Sequence, residues 1–255
     1  MRQSIPISKH IKSFLFYVIT LLLCLQTAFA YSERLRIAVA ANFSQTAQKI
    51  ARQFERETGA KLVIVAGSTG KLFAQLIQGA PFDVFLAADQ KRPSQLSSKN
   101  KQVSTFTYAL GRLVYWAPNS IVSALDSLCD NKVHRIALAN PKVAPYGRAA
   151  EEVLNRLQQN KKCKLKRVYG ESVSQAYQYV ASGNVDGGFI SLAQAIQMNN
   201  KNIISVPEGW YASIVQDGAL INAKSELAHE FVNYMYSAPI KKLIQNDGYE
   251  LVFVN

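Results

Sequence analysis

Along most of this chain, short β-branched runs alternate with longer segments of helical periodicity, and that alternation narrows the available folds more than any other feature. Residues 35–40, 61–66 and 84–88 read as strands. Between the first two, Phe43, Ala47, Ile50, Ala51 and Phe54 form the stripe of a helix packed on one face, closed by Gly59 in the C-cap manner. Leu72, Phe73, Leu76 and Ile77 mark a second helix. Strand, helix and strand in succession imply parallel pairing with right-handed crossovers. The pattern restarts after Pro118 with a short helix over 122–129 and strands at 134–139, 166–169 and 185–190. Helices fall on Ala149, Val153, Leu154 and Leu157, on Ala176, Tyr179 and Val180, and on 191–198. The run 106–116 is longer than an average strand and contains Gly111, so it reads as a crossing between lobes. Segment 203–221, broken by Pro207, Gly209 and Gly218, carries the return crossing; helices over 226–236 and 240–246 precede a terminal apolar run, 251–254. The expected fold is α/β and two-lobed, each lobe a mostly parallel sheet flanked by helices, with residues 31–111 plus 214–255 in one lobe and 112–213 in the other.

The first thirty residues stand apart from this pattern. Arg2, Lys9 and Lys12 precede an apolar core over 14–25, and Ala28-Phe29-Ala30 forms an A-x-A cleavage signature. The apolar run is too short to span a bilayer comfortably. Cys24 follows Leu23 where a lipid-attachment signal needs a small residue. Residues 1–30 therefore read as a cleaved signal peptide, and the protein as exported to the periplasm. Removing them from 255 residues leaves 225; removing their three cations from 29 leaves 26 against 17 acids, a net charge of +9. No Arg/Lys run interleaved with aromatics forms a nucleic-acid module, so the basic balance points to solubility or anionic ligands instead. Cys129 and Cys163 remain, without CxxC or histidine at ligand spacing; in an oxidising compartment the expectation is a disulfide.

The chemistry on offer is hydrogen bonding rather than catalysis. His134 and His229 stand at a strand start and on a C-terminal helix and read as surface or packing residues rather than general bases. Neither G-x-S-x-G nor H-E-x-x-H occurs, and Asp83, Asp89 and Asp186 fit turn and capping roles. Gly67-Ser68-Thr69-Gly70-Lys71 fails as a P-loop, having Val65 for the first glycine and Leu72 for the final hydroxyl. It still places two hydroxyls at a helix start. Asn42 is expected as the N-cap of the first helix. Tyr146 and Gly147, after Pro145, open another, and Ser172 opens a fourth, with Gln175 completing a capping box. Helix N-termini carry unpaired N–H groups and partial positive charge, and ligands of open α/β sheets bind beyond the carboxyl ends of strands. Four such junctions, two from each lobe, would enclose a small anion between Asn42, Ser68 or Thr69, Tyr146, and Ser172 or Val173.

The motifs RIAVAANF (36–43), GSTGKLFAQLIQGAPFDVFLAAD (67–89), NPKVAPYGRAA (140–150), ESVSQA (171–176) and ASGNVDGGFISLAQA (181–195) carry a resemblance. Over essentially the whole mature chain, the sequence resembles the periplasmic molybdate-binding proteins of molybdate ABC transporters. The resemblance implies a type II periplasmic binding protein, monomeric and non-enzymatic. Its ligand would be molybdate or tungstate, without a cofactor or nucleic-acid partner, and its partner the permease in the inner membrane. Carried over by position, the oxyanion contacts fall on Ala41 and Val173 through main-chain N–H groups, and on Asn42, Thr69 or Ser68, and Tyr146. Two positions depart from part of the family: Asn42 stands where many members have Ser, and Ser191 where some have a pocket Tyr. The alternatives are another tetrahedral oxyanion such as sulfate or phosphate, a small organic ligand, or an enzyme on the same scaffold. Sulfate is smaller and would leave donors unsatisfied in a pocket sized for the larger ion. Protonated phosphate needs an acceptor, and Glu171 is the one carboxylate at the four junctions.

Overall fold

Five of the seven residues of strand β1 (Arg34–Ala40) are buried, as a strand covered on both faces requires. The computed structural model describes residues 34–251, apart from 120–121, 131–132 and 161–163. The signal-peptide segment 1–30, Cys163 and the terminal 252–254 lie outside the described residues; Cys129 is disulfide-bonded. β1 pairs in parallel with β2 (Lys61–Gly67) and β3 (Val84–Leu86). Helices α1 (Ser44–Thr58) and α2 (Thr69–Ile77) make the two crossovers. α1 buries Ala47, Ile50, Ala51 and Phe54, the stripe read from sequence, and ends at Gly59 with φ 75°.

Helix α3 (Lys91–Lys99) leads to β4 (Ser104–Gly111), and after Arg112 the chain continues as β5 (Leu113–Trp116) in a second sheet. That sheet adds β6 (Arg135–Ala139), α4 (Pro145–Asn160), β7 (Lys166–Gly170), α5 (Val173–Ala181), β8 (Gly187–Ser191), α6 (Leu192–Gln197) and β9 (Ile203–Ser205). β10 (Ile214–Leu220) returns to the first sheet, and α7 (Glu226–Met235) and α8 (Ala238–Asn246) follow. The strand orders are β2-β1-β3-β10-β4 and β7-β6-β8-β5-β9. In each sheet one strand opposes the other four, β10 in the first and β5 in the second, and each is the strand that has just arrived from the other sheet. The two-lobed, mostly parallel α/β expectation holds. Phe43, Phe54 and Phe231 are central to the first core, Tyr115, Phe189 and Leu154 to the second.

Several local expectations change. α3 was not anticipated: KRPSQLSSK carries Pro93 and a single large aliphatic residue, Leu96, too little for a helical stripe. The helix expected over 122–129 is a 3₁₀ segment, Leu125–Cys129. Strand β8 starts at Gly187 rather than Val185, because the Asp186 carboxylate turns back to accept the His134 and Arg135 amides at 2.8 and 2.9 Å. Ser172 caps α5 by accepting from Gln175 N, but the Gln175 side chain accepts from Glu171 N at 2.6 Å, so the reciprocal box is not made there. A complete capping box occurs instead at Ser191 and Gln194. Asn42 is not an N-cap: it lies inside a 3₁₀ turn, Ala41–Phe43, between β1 and α1.

Candidate functional site: a cage of neutral donors between the lobes

The ends of β1, β2, β6 and β7 converge with the helices that follow them. Ala41 and Asn42 come from the turn after β1, Ser68 and Thr69 from the start of α2, Tyr146 from the first turn of α4, and Val173 from the start of α5. All six line one small, half-open cavity, with Ala40, Ala88, Ala144, Pro145 and Ser172 completing the wall. No side chain of the wall carries a formal charge.

Contacts between the lobes surround this cavity. Gly70 N donates to Val143 O at 2.8 Å, and Ser174 Oγ to Ala41 O at 3.2 Å. A Cβ on Gly70 would stand 2.9 Å from the Val143 backbone, so the approach depends on glycine. At the rim, Lys71 pairs with Glu171 at 2.5 Å, while Asp89 is held by Arg92 and, at 3.2 Å, by Arg148. The nearby carboxylates are thus each matched by a cation.

The donors differ in their commitments. Thr69 Oγ1 accepts the Ala88 amide at 3.1 Å, which leaves its proton free to donate. Ser68, 4% exposed, has a buried Oγ without a hydrogen-bond partner among the described residues, a state that costs about 1–3 kcal/mol unless a ligand satisfies it. Asn42, 2% exposed, differs from expectation: its Nδ2 donates to Gln216 Oε1 at 3.0 Å and to Tyr249 Oη at 3.2 Å. Its amide is engaged with Gln216, Tyr249 and the Tyr146 hydroxyl, so the side chain braces the site instead of offering a free donor. Tyr146 Oη accepts from Gln216 Nε2 at 3.4 Å, and burial pushes its phenol well above the ordinary range, as it does for Tyr108 and Tyr249. These hydroxyls stay protonated and able to donate. Ser191, buried, bonds with Gln194 at the start of α6 and is not part of the wall.

Gln216, Tyr108 and Tyr249 were not singled out from sequence. Gln216 left one trace: in β10 it alternates with Ile214 and Gly218 on the buried face, where an amide needs a reason to be. His134 and His229 are exposed and apart from the cavity. Among the described residues, no cluster of three or more His, Cys, Asp or Glu could hold a metal ion, and no helix is long and apolar enough to cross a membrane.

Two lobes of this topology, joined by two crossings and presenting helix starts of both lobes to one small cage, define the class of two-lobed periplasmic binding proteins. The chain matches the family described as bacterial extracellular solute-binding protein over residues 35–250, and it belongs to that family. It is 37% identical over 231 residues to the molybdate-binding protein ModA of Azotobacter vinelandii, covering 87% of this chain and 92% of that protein. To ModA of Rhodobacter capsulatus it is 36% identical over 217 residues, covering 83% and 86%. The solved structure of the periplasmic molybdate-binding protein of Azotobacter vinelandii superposes with a TM-score of 0.79 at 35% identity, covering 86% of this chain and all of that one.

Proposed function

We propose that this chain is the substrate-binding component of a molybdate ABC importer, holding molybdate or tungstate between its lobes. The observation that carries the reading is the uncharged cage: all six residues expected at the oxyanion line a single small cavity, and Ser68 Oγ in it is buried and has no partner among the described residues. A dianion is stabilised there by charge-assisted hydrogen bonds from Ser68, Thr69 and Tyr146 hydroxyls and from main-chain N–H groups at Ala41, Asn42 and Val173. The lobes comprise residues 31–111 with 214–255, and 112–213. Its relatives' names agree with the ligand. Nothing in the wall combines a nucleophile with a base, so binding without turnover is the reading it supports. The protein is exported by a cleaved signal peptide to the periplasm, acts as a monomer without nucleic acid, and delivers its ligand to an inner-membrane permease.

Calorimetry on the mature protein with molybdate, tungstate, sulfate and phosphate tests the reading. One-to-one binding of the first two is expected, with the latter two at least about 100-fold weaker, since each unsatisfied donor around a smaller ion costs about 1–3 kcal/mol. Equal affinity for sulfate would overturn the assignment.

A further inference from the structure

Behind the cage runs a chain of hydrogen bonds whose donor-to-acceptor sense is fixed from one end. The Tyr249 hydroxyl donates to the Asn42 main-chain carbonyl at 2.7 Å, so its oxygen is left to accept. It accepts from Asn42 Nδ2, and the same nitrogen donates onward to Gln216 Oε1. The Tyr108 hydroxyl gives its one proton chiefly to Ala87 O, 2.8 Å away, with Gln216 Oε1 at 3.0 Å, so the sense of the chain is set by Asn42 and not by Tyr108. With Asn42 Nδ2 donating to its Oε1, Gln216 presents Nε2 to Tyr146. A phenol oxygen that accepts along this direction turns its single proton elsewhere. No hydrogen bond among the described residues takes that proton up, and Tyr146 lines the cavity.

We propose that Gln216 is the positioning residue of the anion site, turning the Tyr146 hydroxyl so that its proton faces the bound ion. The proposal rests on the oxyanion-binding reading above and adds to it a residue outside the wall. A reversed amide at 216 would draw the Tyr146 proton toward itself and set phenol lone pairs against a dianion. The bond also spans the lobes: Gln216, fully buried, belongs to β10 of the first sheet, and Tyr146 to α4 on the second. It forms where the chain crosses, because Gly111, paired with Ile214, leaves room for it. A Cβ there would lie 2.1 Å from Tyr146 Oη and 2.5 Å from Gln216 Nε2. Orientation of the donor is thereby tied to closure of the lobes.

A double-mutant cycle read by calorimetry with sodium molybdate tests this, using wild type, Gln216→Met, Tyr146→Phe and the double variant. If Gln216 acts through Tyr146, Gln216→Met weakens binding about ten-fold in the wild-type background and less than about two-fold once Tyr146 is Phe. Equal losses in both backgrounds would overturn the relay. Should Gln216→Met not fold, Gln216→Glu keeps the acceptor for Asn42 and takes the place of Gln216→Met in the same cycle. Its charge weakens binding in both backgrounds, and the difference between backgrounds still measures the part borne by Tyr146; a zero difference again overturns the proposal. Wild-type protein that ignores molybdate would instead remove the proposed function.

Discussion

Ser68 and Asn42 both line the cage wall and illustrate opposite uses of a buried polar side chain. Ser68 Oγ has no partner among the described residues, so Ser68→Ala removes an unsatisfied group from the ligand-free protein. Its melting temperature should hold or rise, while calorimetry with molybdate shows a loss of about ten-fold, the worth of one charge-assisted bond. A lower melting temperature with unchanged affinity would mean the hydroxyl serves the fold. At this scale the sequence disclosed which residues meet, because each sits where an apolar run hands over to a helix. It did not disclose their commitments. Asn42 reads as a donor, yet its amide is bound to Gln216 and Tyr249, residues 174 and 207 positions away. Pairings at that separation have no local signature.

Among the elements, the start of α2 matters most for closure. Gly70 is its second residue, and its amide reaches across to Val143. Alanine favours a helix over glycine by up to about 1 kcal/mol, so Gly70→Ala should leave the ligand-free melting temperature unchanged or raised. The added Cβ meets the opposing backbone at 2.9 Å, so affinity for molybdate should fall by about ten-fold or more as the lobes are held apart. Unchanged affinity would show that the loop around Val143 yields freely. The strands and the amphipathic helices were legible because period-2 and period-3.6 patterns are written in consecutive residues. α3 was not, since its contacts are made through Pro93 and a partly buried Leu96 rather than through a stripe.

Over the whole molecule, the site's neutrality and the buried tyrosines predict a particular response to pH. With no titrating acid or base in the wall, molybdate affinity should be flat between about pH 6 and 9. Stability should not stay flat further up. Tyr108, Tyr146 and Tyr249 have phenols raised by burial above the ordinary value of 10.0, so the unfolded chain loses those protons first. Their contribution is fully present below pH 10 and is lost as pH rises from there through the folded values. Denaturant midpoints measured from pH 7 to 11 should therefore decline above about 10, and an unchanged midpoint at pH 11 would contradict the burial argument. The two-lobed architecture was readable from the alternation and from the two irregular crossings. The pairing order within the sheets was not, because it depends on which strand returns to which gap.

That order has a consequence for how the chain comes together in time. The second sheet draws its five strands from one continuous stretch, 113–205, and lacks nothing once that stretch is present. The first sheet begins earlier but waits longer: β4 is laddered to β10, so it stays apart from β1, β2 and β3 until residues 214–220 slot in between. The half of the protein that starts first is the half that finishes last. The strand completing it also carries Gln216, so the brace for the anion-facing tyrosine is among the last parts to arrive.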